Sequence, residues 1–178
     1  MSDGGLTSGV DDTVAGGDAG HDADRPEGTD RVRADAAARG VAVEIVARPA
    51  ADSLEAAAAL LGLEPSDIVK SLVVKRHDGS FVFALVPGDR QISWAKLRAA
   101  VGVNKLSMPS ADVALEATGY ERGTITPMGS ATAWPVVADS RVTGRRVALG
   151  AGAHGFSAFV DADELVRAYD ATVADISD

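Results

Sequence analysis

The chain has 178 residues, a formal net charge of -9, 46% hydrophobic residues, 19 glycines and no cysteine. That length suits one domain, which commonly runs to about 100–150 residues. No apolar run reaches the roughly 18–20 residues of a membrane helix, the N-terminus lacks the basic-then-apolar layout of a signal peptide, and the absence of cysteine excludes disulfides, thiolate zinc sites and a cysteine nucleophile. A cytoplasmic location is the expectation. Charge is unevenly spread. Residues 1–30 carry eight acids (Asp3, Asp11, Asp12, Asp18, Asp22, Asp24, Glu27, Asp30) against Arg25, with seven glycines and few large apolar side chains. Such a segment cannot bury enough surface to offset its ordering entropy. It reads as a disordered acidic tail, leaving 31–178 as one domain with 18 acids and 16 bases.

The first expected element is a helix over Thr29–Arg39, closed by Gly40. Its Val32, Ala36 and Ala37 face is weakly apolar, so it reads as peripheral. Val41–Val46 alternates as a strand, ended by Pro49. Asp52 as N-cap, Glu55 three residues on and Gly62 beyond the end frame a helix with Leu54, Ala57, Ala58 and Leu61 inward. Pro65 starts a turn. Ile68–Lys75 and Ser80–Val86 are strands joined by a hairpin at Asp78-Gly79. Ser93 caps a helix to Ala100, stopped by Gly102, and Ser110 caps another to Ala117, stopped by Gly119. A glycine- and proline-rich loop spans Gly119–Gly129. Strands follow at Trp134–Ala138, Arg146–Leu149 and Phe156–Val160, then a helix from Asp161 with Glu164 completing a capping box. Hairpins interleaved with helices imply an α+β fold with a mixed, curved sheet.

Three places can carry chemistry. In "DIVKSLVV", Lys70 shares a strand face with Ile68, Leu72 and Val74. An unpaired ammonium there costs several kcal/mol if buried, so it either snorkels out or faces a cleft. In "TGYERGTITPMG", glycines permit close backbone approach and Pro127 stiffens the chain. Such a loop is either an ordinary turn or a cradle that aims backbone N–H groups at an oxyanion. In "GAGAHGFSAF", His154 sits among Gly150, Gly152 and Gly155 as a candidate base or ligand, or as a solvated loop residue. Asp139, ending "PVVAD", can orient a partner or cap a turn. His21, His77 and His154 have no metal-ligand spacing, so no metal is expected. Serine-nucleophile, phosphate-loop and dinucleotide motifs are missing, so no cofactor is expected either. "GAGAHG" matches G-x-G-x-x-G superficially, but no long helix follows. Phe81, Phe83, Phe156 and Phe159 read as core, which leaves no aromatic platform for RNA bases. Any RNA contact then falls to scattered bases such as Arg122, Arg145 and Arg146.

The order of these features resembles the YbaK-type aminoacyl-tRNA deacylase family, related to the editing domain inserted in bacterial prolyl-tRNA synthetases. The shared features run from the helix ending in Leu-Gly through "DIVKSLVV", the Asp-Gly hairpin, "VPGDR", "GVNKL", "TGYERGTITPMG" and "PVVADS" to "GAGAHG", over about residues 41–170. The resemblance implies a barrel-like mixed sheet and hydrolysis of the ester of a mischarged tRNA, on a proline or similar tRNA. It implies Lys70, Gly123 and His154 as catalytic residues. Thr124, Ile125, Thr126, Pro127, Asp139 and Gly152 are the implied substrate contacts. The implied partners are mischarged tRNA and, transiently, an aminoacyl-tRNA synthetase, with neither DNA nor membrane. An aminoacyl ester is already activated, so positioning plus oxyanion stabilisation suffices. Two alternatives stay open: a non-catalytic module binding an aminoacyl or nucleotide end, and a hydrolase of another small acyl ester.

Overall fold

Alternation and capping place most of the elements. The computed structural model describes residues 27–178. The helices are α1 (Glu27–Ala38), α2 (Leu54–Leu61), α3 (Trp94–Val101), α4 (Ala111–Thr118) and α5 (Ala162–Ala168). The strands are β1 (Glu44–Ala47), β2 (Val69–Arg76), β3 (Phe81–Pro87), β4 (Leu106–Ser107), β5 (Val136–Asp139), β6 (Arg146–Gly150), β7 (Phe156–Asp161) and β8 (Thr172–Ala174). Ser93, Ser110 and Asp161 cap α3, α4 and α5 through their side chains. At α2 the cap is Ser53, one residue past Asp52; its extended backbone lets Oγ accept from Ala56 N at 3.0 Å.

The fold is mixed α+β, but the strands form two sheets and not a closed barrel. One sheet is antiparallel, in the order β1-β7-β6; the other has the order β4-β2-β3-β5-β8. A single bridge, Ile68 to Ala148, joins them. The β2–β3 hairpin pairs from Val69–Pro87 to Lys75–Phe81, and β5 lies parallel to both β3 and β8. β8 and β4 escape a pattern reading because each is two or three residues long and takes its register from distant partners.

Two apolar clusters flank the larger sheet. Val69 and Val73 face the first, with Phe83, Leu85, Leu149 and Val160. Val74 faces the second, with Val82, Val86, Leu97 and Ile176. α1 is not peripheral: Val32 and Ala36 are fully buried in the first cluster. Small side chains permit that close docking without a bulky apolar stripe. The helix begins at Glu27 and buries Thr29, so residues 27–30 belong to it. The rest of the expected tail, residues 1–26, lies outside the described residues. Among the described residues no helix is long and apolar enough to cross a membrane.

Candidate functional site

A cavity of about 380 Å³ opens where the two sheets meet at β2 and β6. Its walls come from Val69, Ser71 and Val73 on β2, Ala148, Leu149 and Gly150 on β6, and Phe156 and Ser157 on β7. Leu54 and Ala57 of α2, Met108 and Pro109 before α4, and Ile125 of the glycine-rich loop complete its apolar surface. Lys70, Arg48 and Arg122 are among its lining residues, as is the acidic Asp52. The chamber is thus largely apolar, with three basic residues and one acidic residue among its lining.

Lys70 is neither snorkelled nor free. Its strand face is the one expected, shared with Leu72 and Val74, and its ammonium donates to the main-chain carbonyl of Arg90. Burial pulls its pKa below the ordinary lysine value of 10.5, against the pull of Asp89 and Glu55. The next residue is one the motif reading missed. Ser71, on the opposite strand face, is among the cavity's lining residues, and its hydroxyl is buried without a hydrogen-bond partner among the described residues. Such a group costs about 1–3 kcal/mol unless something in the cavity satisfies it. A lone hydroxyl in an aliphatic strand, one residue from an out-of-place lysine, was the available signal.

The expected loop residues divide. Gly123 and Ile125 line the cavity. Gly123 has φ +90°, a conformation that favours glycine. Thr124, Thr126 and Pro127 are buried and brace the loop from within. The Thr124 hydroxyl donates to Glu121 O at 2.7 Å, and Thr126 Oγ1 accepts from Met128 N at 3.3 Å. Gly152 N donates to Thr124 O at 2.9 Å, tying the second glycine-rich loop to the first. Gly150 lines the cavity; a Cβ there would stand 2.3 Å from Ile125 O, so close backbone approach demands glycine. His154 is exposed, pairs with Glu121 at 2.9 Å, and lies outside the cavity lining, with its ring edge near Gly123.

Asp139 is fully buried and also lies outside the cavity lining. Its carboxylate accepts from Arg141 N and Ile176 N, each at 3.0 Å, and from the Ser177 hydroxyl at 2.8 Å. Burial pushes its pKa up, but these bonds and the Arg141 guanidinium outweigh that and hold it below 3.8. Arg145 pairs with Asp67 at 2.8 Å and Arg146 with Glu44 at 2.6 Å, so two of the three expected RNA contacts are engaged within the fold, while the third, Arg122, lines the cavity.

Both glycine-rich loops rest on α1. The Arg31 guanidinium donates to Gly129 O at 2.6 Å and to the carbonyls of Thr118 and Gly119 at 3.4 Å, and stacks 4.7 Å from the Tyr120 ring centroid. The Asp35 carboxylate accepts from Gly129 N at 2.9 Å and from the Tyr169 hydroxyl at 2.5 Å. Gly28 meets Gly152 backbone to backbone, with no room for a Cβ on either. Among the described residues no cluster of His, Asp or Glu could hold a metal ion.

Two sheets flank an apolar cavity in this α+β domain, and Lys70 and residues of the glycine-rich loop are among its lining. The chain belongs to the aminoacyl-tRNA editing domain family, whose sequence profile matches residues 48–168. It is 42% identical over 88 residues to a proline–tRNA ligase of Thermosipho africanus, covering 49% of this chain and 16% of the ligase. It is 37% identical over 102 residues to the corresponding ligase of Geobacter sp. strain M21, covering 57% of this chain and 18% of the ligase. The chain therefore matches under a fifth of those relatives' length. Among solved structures, a protein described as a candidate trans-editing enzyme for prolyl-tRNA synthetase superposes with a TM-score of 0.79 at 27% identity, covering 86% of this chain and 99% of that one. The hypothetical protein APE2540 gives 0.78 at 29% identity, over 83% and 99%.

Proposed function

We propose that the protein hydrolyses the ester joining a wrong amino acid to tRNA, acting in trans on a proline or similar tRNA. One observation carries this reading: the apolar cavity brings Lys70, Ser71, Gly123 and Ile125 together in a domain of the editing family. The aminoacyl side chain sits against Val69, Val73, Leu149 and Phe156, while Arg48 and Arg122 meet phosphates of the tRNA end. Water attacks the ester carbonyl, and the new oxyanion is stabilised by the Lys70 ammonium and the main chain of the Gly123 loop. Collapse breaks the bond to the ribose oxygen, which leaves with a proton. Such chemistry takes no covalent nucleophile from the protein. His154 and Glu121 stand by the loop, outside the cavity lining. Thr124, Thr126, Pro127, Gly152 and Asp139 support the fold around it. A cytoplasmic location and transient contact with a synthetase accompany this reading, as no DNA or membrane role does.

A second reading, a binding module without turnover, is favoured by the engagement of the Lys70 ammonium with the Arg90 carbonyl. Single-turnover hydrolysis of a panel of misacylated tRNAs separates the two. Catalysis predicts release of amino acid by the wild-type protein, and a loss of about a hundredfold in Lys70→Ala, on the order of 3 kcal/mol, with the melting temperature kept. Binding without release supports the module.

A further inference from the structure

The Lys70 ammonium is held by a turn that is itself held from far along the chain. Arg90 stands just after β3, and its N–H donates to Pro87 O at 3.0 Å. Its carbonyl receives Lys70, but its side chain is committed elsewhere: Nε donates to Ser177 Oγ at 2.8 Å and Nη2 to Ser177 O at 3.3 Å. The Ser177 hydroxyl donates onward to Asp139 Oδ2 at 2.8 Å, where Ile176 N also arrives at 3.0 Å. A hydroxyl has one donor and two acceptor sites, so Ser177 fills both roles at once. The backbones of Gln91 and Asp178 exchange hydrogen bonds of 3.2 and 2.9 Å, and Ser93 N donates to Ile176 O at 2.9 Å. Asp139 and Ser177 are fully buried. Residues 176–178 lie beyond the 48–168 span matched by the family profile.

We propose that residues 176–178 are a positioning strap for Lys70: buried Asp139 fixes Ser177, Ser177 fixes the Arg90 side chain, and the Arg90 main chain fixes the ammonium. A lysine head on four rotatable bonds has no preferred point in a cavity until a fixed acceptor gives it one. The strap supplies that acceptor from outside the cavity, which explains why a buried aspartate remote from the lining sits in the same hydrogen-bond chain as the strand lysine. The use made of Lys70 rests on the deacylase reading; the coupling itself does not.

The test uses the full chain and limiting N-hydroxysuccinimide acetate, with acetylation of Lys70 and of exposed Lys105 compared by mass spectrometry. In Arg90→Met and in Ser177→Ala, Lys70 should label about threefold faster relative to Lys105, because the local tether has opened. The double variant should add nothing further, as expected for one chain of contacts. Arg90→Met keeps the carbonyl and the aliphatic stem, so it carries the test if Ser177→Ala fails to fold. An unchanged Lys70 to Lys105 ratio in Arg90→Met overturns the strap, as does an additive gain in the double variant. In parallel, single-turnover deacylation should fall about tenfold in Arg90→Met with little change in apparent substrate affinity. Faster labelling without any wild-type deacylation would count against the deacylase reading and leave the strap in place.

Discussion

The two walls of the cavity are fixed by different means. The β2 wall is a strand of the larger sheet, registered against β3 over seven residue pairs from Val69–Pro87 to Lys75–Phe81. Part of the facing lining, Arg122, Gly123 and Ile125, comes from the Gly119–Gly129 segment, shaped in part by side chains reaching in from α1. Arg31 spans 98 positions to bind Gly129, and Asp35 spans 94. A strand wall takes its geometry from its neighbours and tolerates an odd residue such as Lys70. A loop wall takes its geometry from distant charges and should loosen when one is removed.

Three substitutions sharpen that contrast. The largest stability effect is expected at Asp139, which anchors the strap behind the β2 wall. Asp139→Asn places amide N–H groups where donors already point and should cost about 2–3 kcal/mol at neutral pH. The folded carboxyl lies below 3.8, so its contribution is complete above that value and is lost as pH falls through the folded pKa. The gap in melting temperature between wild type and variant should therefore close in acid; a gap of constant size from pH 7 to pH 3 would contradict this.

Arg31→Ala comes next. It removes carbonyl contacts and the stack on Tyr120, for a loss of about 1–2 kcal/mol given its half-buried position. Amide exchange should accelerate in 119–129 more than in β2, and uniform acceleration would erase the distinction between the walls. The smallest effect belongs to Ser71→Ala. Deleting an unpartnered buried hydroxyl should leave stability unchanged or raise it by up to about 1 kcal/mol. Hydrolysis of a misacylated tRNA should fall about tenfold, if that hydroxyl meets the substrate. A destabilised Ser71→Ala protein would mean that the hydroxyl holds the wall and not the ligand.

What was legible in the sequence follows the same division. The β2–β3 hairpin, the serine caps of α3 and α4 and the Asp161 cap of α5 are local patterns, and each stands within a residue of where spacing put it; the expected capping box does not form, because the Glu164 side chain accepts from Ala42 N instead. Lys70 was visible as a residue out of keeping with its strand, whereas Gly123 was marked out only by the family resemblance. The anchors were not. Arg31 and Asp35 look like the solvated face of a weak helix, and its small inner residues understate how deeply α1 packs. Asp139 at a strand end looks equally like a ligand and a cap; the deciding residues, Ile176 and Ser177, lie 37 and 38 positions away. β8 has too few residues for alternation to register.

The parallel placement of β5 between β3 and β8 has a consequence for synthesis. A chain made from its N-terminus exposes β3, then β5, and only after α5 has followed does β8 arrive to cover the far edge. Until then the Asp139 carboxylate lacks the Ile176 and Ser177 donors that it accepts in the finished fold. Pairings of this kind close long loops before they return any stabilisation, so they form late. The nascent domain therefore passes through an interval in which the β2–β3 hairpin can pair while the far side of its sheet is still open. Closing that side and seating the turn that receives Lys70 become one event, timed by the emergence of residues 172–177.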